Sequence, residues 1–160
     1  MKTLFNNVLV AISGSDASIN ASKYAIMVSK IYKCKLTAIY VVDTATLKEL
    51  LISKIFVEDE SVEYEQSLVD NGHRYLNYIE ELALKKGVNI DKLLRNGSIY
   101  AEILKASEEV KADLIILGGW EQNRNMRDLI SHSHKEVLMN AKASVLVVKE
   151  QHVDKLYNQL

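Results

Sequence analysis

A short apolar run that ends at two glycines marks the part of this sequence with the clearest chemical meaning. The run, DLIIL, occupies positions 113–117 and is followed by Gly118 and Gly119. Continuous apolar runs are typical of buried parallel strands, and such a strand ends where the chain turns over the sheet edge. Glycines at this kind of turn let main-chain N–H groups approach a phosphate that any side chain would obstruct. We therefore expect a ligand to bind at this turn.

The segment after the glycines has a recognisable spacing. Nine residues separate Glu121 from Ser131, and His132 and Ser133 then open a predicted helix, which is followed by the strand VLVV at 145–148. This order resembles the universal stress protein family, whose members end with a strand, a G-x-x-G turn, nine further residues, G-[ST], a helix and a V-L-V-V strand. The resemblance covers the chain from about residue 6 to 149 through four further matches: NVLVAI at 7–12, Gly14-Ser15, YVVD at 40–43, and Gly97.

The resemblance implies an ATP site, but most of the residues that would form it are replaced. Only Gly118 is kept among the family's turn glycines, because Glu121 and Ser131 occupy the other two positions. His132 stands at the family's Ser/Thr position, and Ser13 replaces the acidic residue that many members carry after the first strand. A carboxylate about 4 Å from a phosphate charge costs roughly 4 kcal/mol at an effective dielectric near 20, about a thousandfold in affinity. We therefore expect an eroded ATP site and no bound cofactor.

Other residues of the same segment keep a second interpretation open. Arg124 and Arg127 lie in the predicted loop, and either guanidinium can pair with a phosphate. Ser133 can replace the displaced hydroxyl, and Glu121 can turn to solvent or hold Mg²⁺. The alternative function is therefore a sensor that binds ATP with Mg²⁺, AMP or a cyclic nucleotide.

The turn after the first predicted strand supports a more remote alternative. The segment 13–18, SGSDAS, partly resembles the S-G-G-x-D-S loop of ATP pyrophosphatases, which cleave ATP to adenylate a substrate. Ser13, Gly14 and Ser18 match that loop, but Ser15 replaces its second glycine and Asp16 falls one place early. A helix-capping turn explains the same residues without any chemistry.

The remaining candidates for catalysis or metal binding lack the necessary geometry. His132 and His134 are two residues apart at a predicted helix start, where their side chains point roughly 200° from each other. One metal ion cannot readily use both. The sequence contains no Walker A motif, no G-x-G-x-x-G and no G-x-S-x-G nucleophile elbow. We therefore predict a protein that is not an enzyme.

Composition is typical of one globular domain. The chain has 160 residues, 48% of them hydrophobic, and a net charge of −1, which offers no attractive field for nucleic acid or anionic lipid. No apolar run approaches the roughly 20 residues of a membrane helix, and no signal peptide is recognisable. The lone Cys34 has no partner for an internal disulfide. We expect a cytoplasmic protein that binds neither nucleic acid nor membrane.

Strand and helix patterns alternate along the chain, which is typical of a doubly wound α/β sheet in a single domain at residues 1–149. Right-handed crossovers and the family resemblance imply five parallel strands in the order 3-2-1-4-5, with helices on both faces. Ser13, Val41 and Gly118 then converge where the loops after strands one and four face each other. The predicted elements after strand one are helices at 18–32, 62–86 and after Gly97-Ser98, and strands at 36–42, 91–95, 113–117 and 144–148.

Apolar spacing predicts which helix faces point inward. A short amphipathic helix within 43–60 either covers the ligand crevice or packs as an excursion from the sheet. The inward residues predicted for these two helices are Ala21, Tyr24, Ala25, Val28 and Ile31 in the first, and Leu47, Leu50, Leu51 and Ile55 in the second.

Two further segments suggest partners. Strand Ser144 to Val148 is an apolar strand at the sheet edge, and related proteins pair this strand with the same strand of a second subunit. We therefore predict a homodimer. The tail 150–160 places Val153, Leu156, Tyr157 and Leu160 at helical spacing, so we expect a helix that packs on the dimer or on an unidentified protein partner. The predicted function is that of a non-catalytic stress-response or regulatory module.

Overall fold

The computed structural model describes residues 3–55, 57–119 and 124–160, and for residues 124–131 it describes the course of the backbone only. Strands and helices alternate along nearly all of this chain. The elements are β1 Asn7–Ile12, α1 Asp16–Tyr32, β2 Lys35–Val42, α2 Thr44–Ile52, α3 Glu58–Leu84, β3 Ile90–Asn96, α4 Ile99–Glu109, β4 Leu114–Gly118, α5 Arg124–Asn140, β5 Ser144–Val148 and α6 Val153–Gln159.

The five strands form one parallel sheet in the order β3-β2-β1-β4-β5. The central strand β1 pairs with β2, where Ile12 lies opposite Tyr40, and with β4, where Val8 lies opposite Leu114. The predicted α/β fold and strand order are therefore confirmed. The direction of the chain reverses after β3, so the carboxyl ends of β1 and β4 form a topological switch point, where ligands of such sheets bind.

Both faces of the sheet are covered by helices. Val8 and Val10 point towards the layer formed by α1, α3 and α6, and Leu9 points towards the layer formed by α4 and α5. All three side chains are at most 1% exposed. Burial on both faces explains why β1 and β4 appear in the sequence as nearly unbroken apolar runs.

The first helix contacts the core through most of the predicted face, since Ala21 and Ala25 are fully buried and Tyr24 and Val28 pack against the core, but the buried face also includes serines. Ser22 and Ser29 are buried, and their hydroxyls donate to the carbonyl oxygens of Ser18 and Cys34. Because these hydroxyls are satisfied locally, the small serines let α1 lie close to the sheet. Ile31, predicted to point inward, is on the opposite side of the helix and is 64% exposed.

Four helices end with the same hydrogen-bond pattern, in which the chain turns back through a left-handed residue. In α3 this residue is Gly87, and the N–H of Val88 donates to the carbonyl of Ala83 over 2.9 Å. In α1, α2 and α4 the left-handed residue is a lysine. These lysines are Lys33, Lys54 and Lys111, with φ angles of 53°, 58° and 55°.

The excursion and the tail are both helical, with different degrees of packing. In α2 only Leu47 is fully buried, while Ile55, predicted to point inward, lies beyond the helix end and is 65% exposed. The tail forms α6, in which Val153 and Tyr157 are buried against α1 and α3. Part of the predicted stripe therefore packs within its own chain, and Leu156 is left 43% exposed.

Candidate functional site

The turn that follows β1 is a helix cap. Gly14 has a φ of +84°, which a residue with a side chain rarely adopts, and Ser15 is the N-cap of α1. The hydroxyl of Ser15 accepts from the N–H of Ser18 over 3.1 Å, and the hydroxyls of Ser13 and Ser15 are also 3.1 Å apart. The residues that resemble a pyrophosphatase loop are thus the residues that cap α1.

Gly118 lies against the first turn of α1. A Cβ atom at Gly118 would be 2.7 Å from the carbonyl carbon and oxygen of Ala17. Such a distance is too short for any side chain, so the absence of one lets the end of β4 contact the start of α1. The turn after β1 and the end of β4 therefore meet at the switch point, as the sequence predicts.

Val41 completes this edge of the sheet. It follows Tyr40, which lies opposite Ile12, so Val41 is level with Ser13. Ser13 is exposed, whereas the side chain of Val41 is half-buried against the layer formed by α4 and α5. Ser13, Val41 and Gly118 thus lie together at the carboxyl edge of the sheet.

The helix after β4 begins earlier than predicted. It starts at Arg124, so Ser131, His132 and Ser133 lie seven or more residues inside α5 and do not open it. Their N–H groups belong to the helix interior, where each is bonded to the carbonyl four residues earlier. Arg127 is also helical rather than part of a loop. Glu121 lies outside the described residues.

The lack of glycine explains why α5 begins before Ser131. The sequence contains no glycine or proline between Gly119 and Asn140, so nothing in that segment opposes a helix. Serine destabilises a helix interior less than glycine does. Ser131 therefore allows the helix to extend where a family glycine would interrupt it.

The side chains at the middle of α5 point in different directions. His132 is exposed, and its ring meets the ring of Tyr100 edge to face at 5.9 Å. Ser133 is buried one turn before Val137, which packs in the core between the sheet, α4 and α5. His134 is half-buried, and burial lowers its pKa. These residues do not form one concave site.

An aromatic pair that the sequence did not point to supports the turn after β1. The ring of Tyr75 on α3 lies against Gly14, where an added Cβ would be 2.6 Å from it. Tyr75 also stacks on Tyr40, with ring centroids 6.3 Å apart and planes 11° apart. Burial raises the pKa of Tyr40, and the neighbouring hydroxyls of Tyr75 and Tyr64 raise it further. Two sequence signals bear on Tyr75. It shares helical spacing with Leu68, Ile79 and Leu82, and it follows Gly72 by about one turn, where the missing side chain leaves room for the ring of Tyr40.

Several acidic residues lie at or near helix N-termini in the described part of the chain. Asp43 caps α2, accepting from the N–H and the hydroxyl of Thr46 at 3.1 and 2.7 Å. Acidic side chains are favourable at helix N-termini, and those ends all lie at this edge. The acidic residues there include Asp16, Asp43, Glu58, Asp59, Glu60 and Glu102. Their field opposes the approach of a polyphosphate.

No metal centre is formed by the described residues, in which no three His, Cys, Asp or Glu side chains cluster suitably. Two surface depressions lie away from the switch point. One of about 340 Å³ lies between the C-terminal ends of α4 and α5, near Lys111 and Lys142, and one of about 360 Å³ lies beside α6, near His152. Of the helices in residues 3–55, 57–119 and 124–160, none is long and apolar enough to span a membrane.

A single five-stranded parallel sheet in the order β3-β2-β1-β4-β5, with helices on both faces, defines a nucleotide-binding-like α/β protein. A model of the universal stress protein family matches residues 4–149, so the chain belongs to that family. A universal stress protein of Methanocaldococcus jannaschii is 30% identical over 156 residues, which cover 93% of this chain and 85% of the relative. The UspA protein of Lactobacillus plantarum superimposes with a TM-score of 0.73 at 21% identity, covering 90% of this chain and 97% of that one.

Some solved structures with this fold contain a nucleotide. A universal stress protein in complex with cAMP covers 90% of this chain with a TM-score of 0.61 at 20% identity, and 96% of its own chain is covered. One from Archaeoglobus fulgidus in complex with dAMP covers 91% with a TM-score of 0.59 at 15% identity, and 99% of its own chain is covered. At these identities the likeness extends to the fold alone.

Proposed function

We propose that this protein is a homodimeric, non-catalytic regulatory module of the universal stress protein type whose ATP site is eroded. The main support is the position of Ser131 and His132 inside α5, where a phosphate loop would need free N–H groups. Gly118 supports the same conclusion, because its missing side chain serves contact with Ala17.

The proposed dimer interface is the edge strand β5. This strand pairs with β4 on one side, and its residues Val145, Leu146 and Val147 are only half-buried in the single chain. An apolar edge strand is stabilised when a second copy covers it. Light scattering at micromolar concentration should therefore give twice the chain mass. Val147→Lys should yield monomers, whereas Ile31→Lys, the same charge change on exposed α1, should not.

The ATP site is tested by thermal melting with millimolar ATP and Mg²⁺. A ligand present at about 100 times its dissociation constant stabilises the native state by roughly 2.7 kcal/mol, which a melt detects. We expect no shift. A strong rise in melting temperature with ATP would contradict the eroded site.

A sensor for a nucleoside monophosphate is the second candidate. It is supported by the edge formed by Ser13, Val41 and Gly118, and by the nucleotide complexes of similar fold. A melt that rises with AMP or cAMP but not with ATP would favour this candidate. The pyrophosphatase-like enzyme has little support, because Ser15 is occupied as a helix cap. Release of pyrophosphate from ATP in the presence of an acceptor would revive it.

A further inference from the structure

Four large apolar side chains are exposed where α2 meets α3. Ile52, Ile55, Val57 and Val62 are 73%, 65%, 61% and 63% exposed, and they lie within eleven residues of one another in the sequence. We call these four residues the α2–α3 elbow. A cluster of exposed apolar residues of this kind marks an interaction surface more often than scattered single ones do.

The backbone of the elbow is held by hydrogen bonds, so a frayed end does not explain the exposure. The N–H of Ile55 donates to the carbonyl of Leu50 over 2.9 Å, which folds it back on the end of α2. The N–H of Ser61 donates to the carbonyl of Val57 over 3.0 Å and starts α3. The apolar side chains are thus presented from fixed positions.

One elbow residue, Val62, continues the core-facing stripe of α3. Val62, Val69 and Leu76 are spaced by seven residues and share one helix face. Leu76 is only 2% exposed and Val69 packs on the core, whereas Val62 is uncovered. The 27 residues of α3 span about 40 Å, but the seven residues of β3 span only about 23 Å. The start of α3 therefore projects past the sheet that buries the rest of the stripe.

The charges around the elbow define what can cover it. Between Lys48 and Glu65 the sequence has six acidic residues and two lysines, a net charge of −4 in a chain whose total is −1. Glu58, Asp59 and Glu60 are exposed, and within the described residues they form no ion pair. A second copy that presents the same elbow, or an anionic membrane, would bring negative charge against this surface and be repelled.

We propose that the α2–α3 elbow binds a polypeptide segment whose apolar side chains are flanked by lysine or arginine. The apolar side chains of the bound segment would cover Ile52, Ile55 and Val62, and its lysines or arginines would pair with Glu58 and Glu60. Recognition of an amphipathic basic helix by an apolar, acid-rimmed surface uses the same physics as other helix-docking sites. This partner surface goes beyond the proposed function and does not depend on nucleotide binding.

The test uses a fluorescent peptide of about 18 residues in which leucines form one helix face and lysines the rest. Fluorescence anisotropy should show binding, which is lost when glutamates replace the lysines or serines replace the leucines. Val62→Ser should weaken binding at least tenfold, whereas Leu84→Ser, an exposed site at the other end of α3, should change it less than twofold. Glu60→Lys should weaken binding, and Glu81→Lys on the same helix should do so much less.

Several results would overturn the proposal. These are failure of the leucine and lysine peptide to bind, equal losses from Val62→Ser and Leu84→Ser, and a fall in the mass of the unliganded protein caused by Val62→Ser. The last result would assign the elbow to a second copy. Circular dichroism checks that each variant is folded, and Ile52→Ser replaces Val62→Ser if that variant unfolds.

Discussion

Gly118 approaches the main chain of Ala17 so closely that an added Cβ would be 2.7 Å from its carbonyl group. This contact joins the end of β4 to the first turn of α1 across the switch point. Both partners are backbone atoms near the centre of the fold, so neither can move aside without shifting a whole element.

Gly118→Ala should therefore destabilise the protein through overpacking, by about 1–3 kcal/mol. Urea unfolding followed by circular dichroism measures the loss. Gly87→Ala is the control, because Gly87 has nothing within 4 Å of its missing Cβ but has a φ of +74°. It should cost about 1–2 kcal/mol through backbone conformation alone. Unchanged stability in Gly118→Ala would show that α1 is free to move away from β4.

Tyr157→Phe should loosen α6. The Tyr157 hydroxyl donates to the carbonyl oxygen of Leu82 over 2.6 Å in a buried position, so its removal leaves that carbonyl without this donor. We expect a loss of about 1–3 kcal/mol in unfolding free energy. Leu156→Ser, at an exposed position of the same helix, should change stability by less than about 0.5 kcal/mol. Amide exchange in residues 153–159 measures how firmly α6 is held. Equally slow exchange in Tyr157→Phe and in the native protein would show that the hydroxyl does not hold α6 in place.

Lys111→Gly should stabilise the protein. Lys111 ends α4 with a φ of 55°, a conformation that costs roughly 1–2 kcal/mol for a residue with a side chain and little for glycine. We expect a gain of up to about 1 kcal/mol in unfolding free energy. Lys105→Gly, within the same helix, should instead cost about 1 kcal/mol. If both variants lose stability, the side chain of Lys111 stabilises the protein by more than its left-handed backbone conformation destabilises it.

Stability should fall as the solution is acidified below about pH 6.5, the unperturbed pKa of histidine. Burial lowers the pKa of His134 in the folded protein, so the unfolded chain takes up a proton at higher pH than the native one does. The stabilisation by neutral His134 is therefore complete above the unfolded pKa and is lost as the pH falls towards the folded pKa. His134→Gln should flatten this part of the stability curve.

Restoring the family's residues should restore an ATP response. The variant combines Glu121→Gly, Ser131→Gly and His132→Ser. It removes a carboxylate and places a glycine inside α5, and glycine destabilises a helix by about 1 kcal/mol, which favours a loop. We expect a melting temperature that rises with ATP and Mg²⁺ only in this variant. Lys135→Gly is the control, since it weakens the same helix without recreating the spacing. A restored variant that ignores ATP would place the defect at Ser13 or under the segment 43–60.

Strands β1, β4 and β5 could be predicted from the sequence because each is a nearly unbroken apolar run. The right-handed crossover rule and the family resemblance together implied the strand order. The burial of Ser22 and Ser29 on α1 could not be predicted, because these serines look polar until their hydroxyls are seen to bond locally. The start of α5 was missed for another reason. The family spacing implied a loop before Ser131, but helix propensity takes over once the glycines are gone.

The position of β1 determines when the sheet is complete during folding. Its partner β4 follows about 100 residues later in the sequence, and the N–H of Asn6 donates to the carboxylate of Asp113 over 2.8 Å across that interval. Contacts between such distant residues slow folding, because a long loop must close before they form. Until β4 arrives, one side of β1 presents an apolar edge on which chains aggregate. The central strand is thus synthesised well before its partner β4 and is among the last strands to be fully paired.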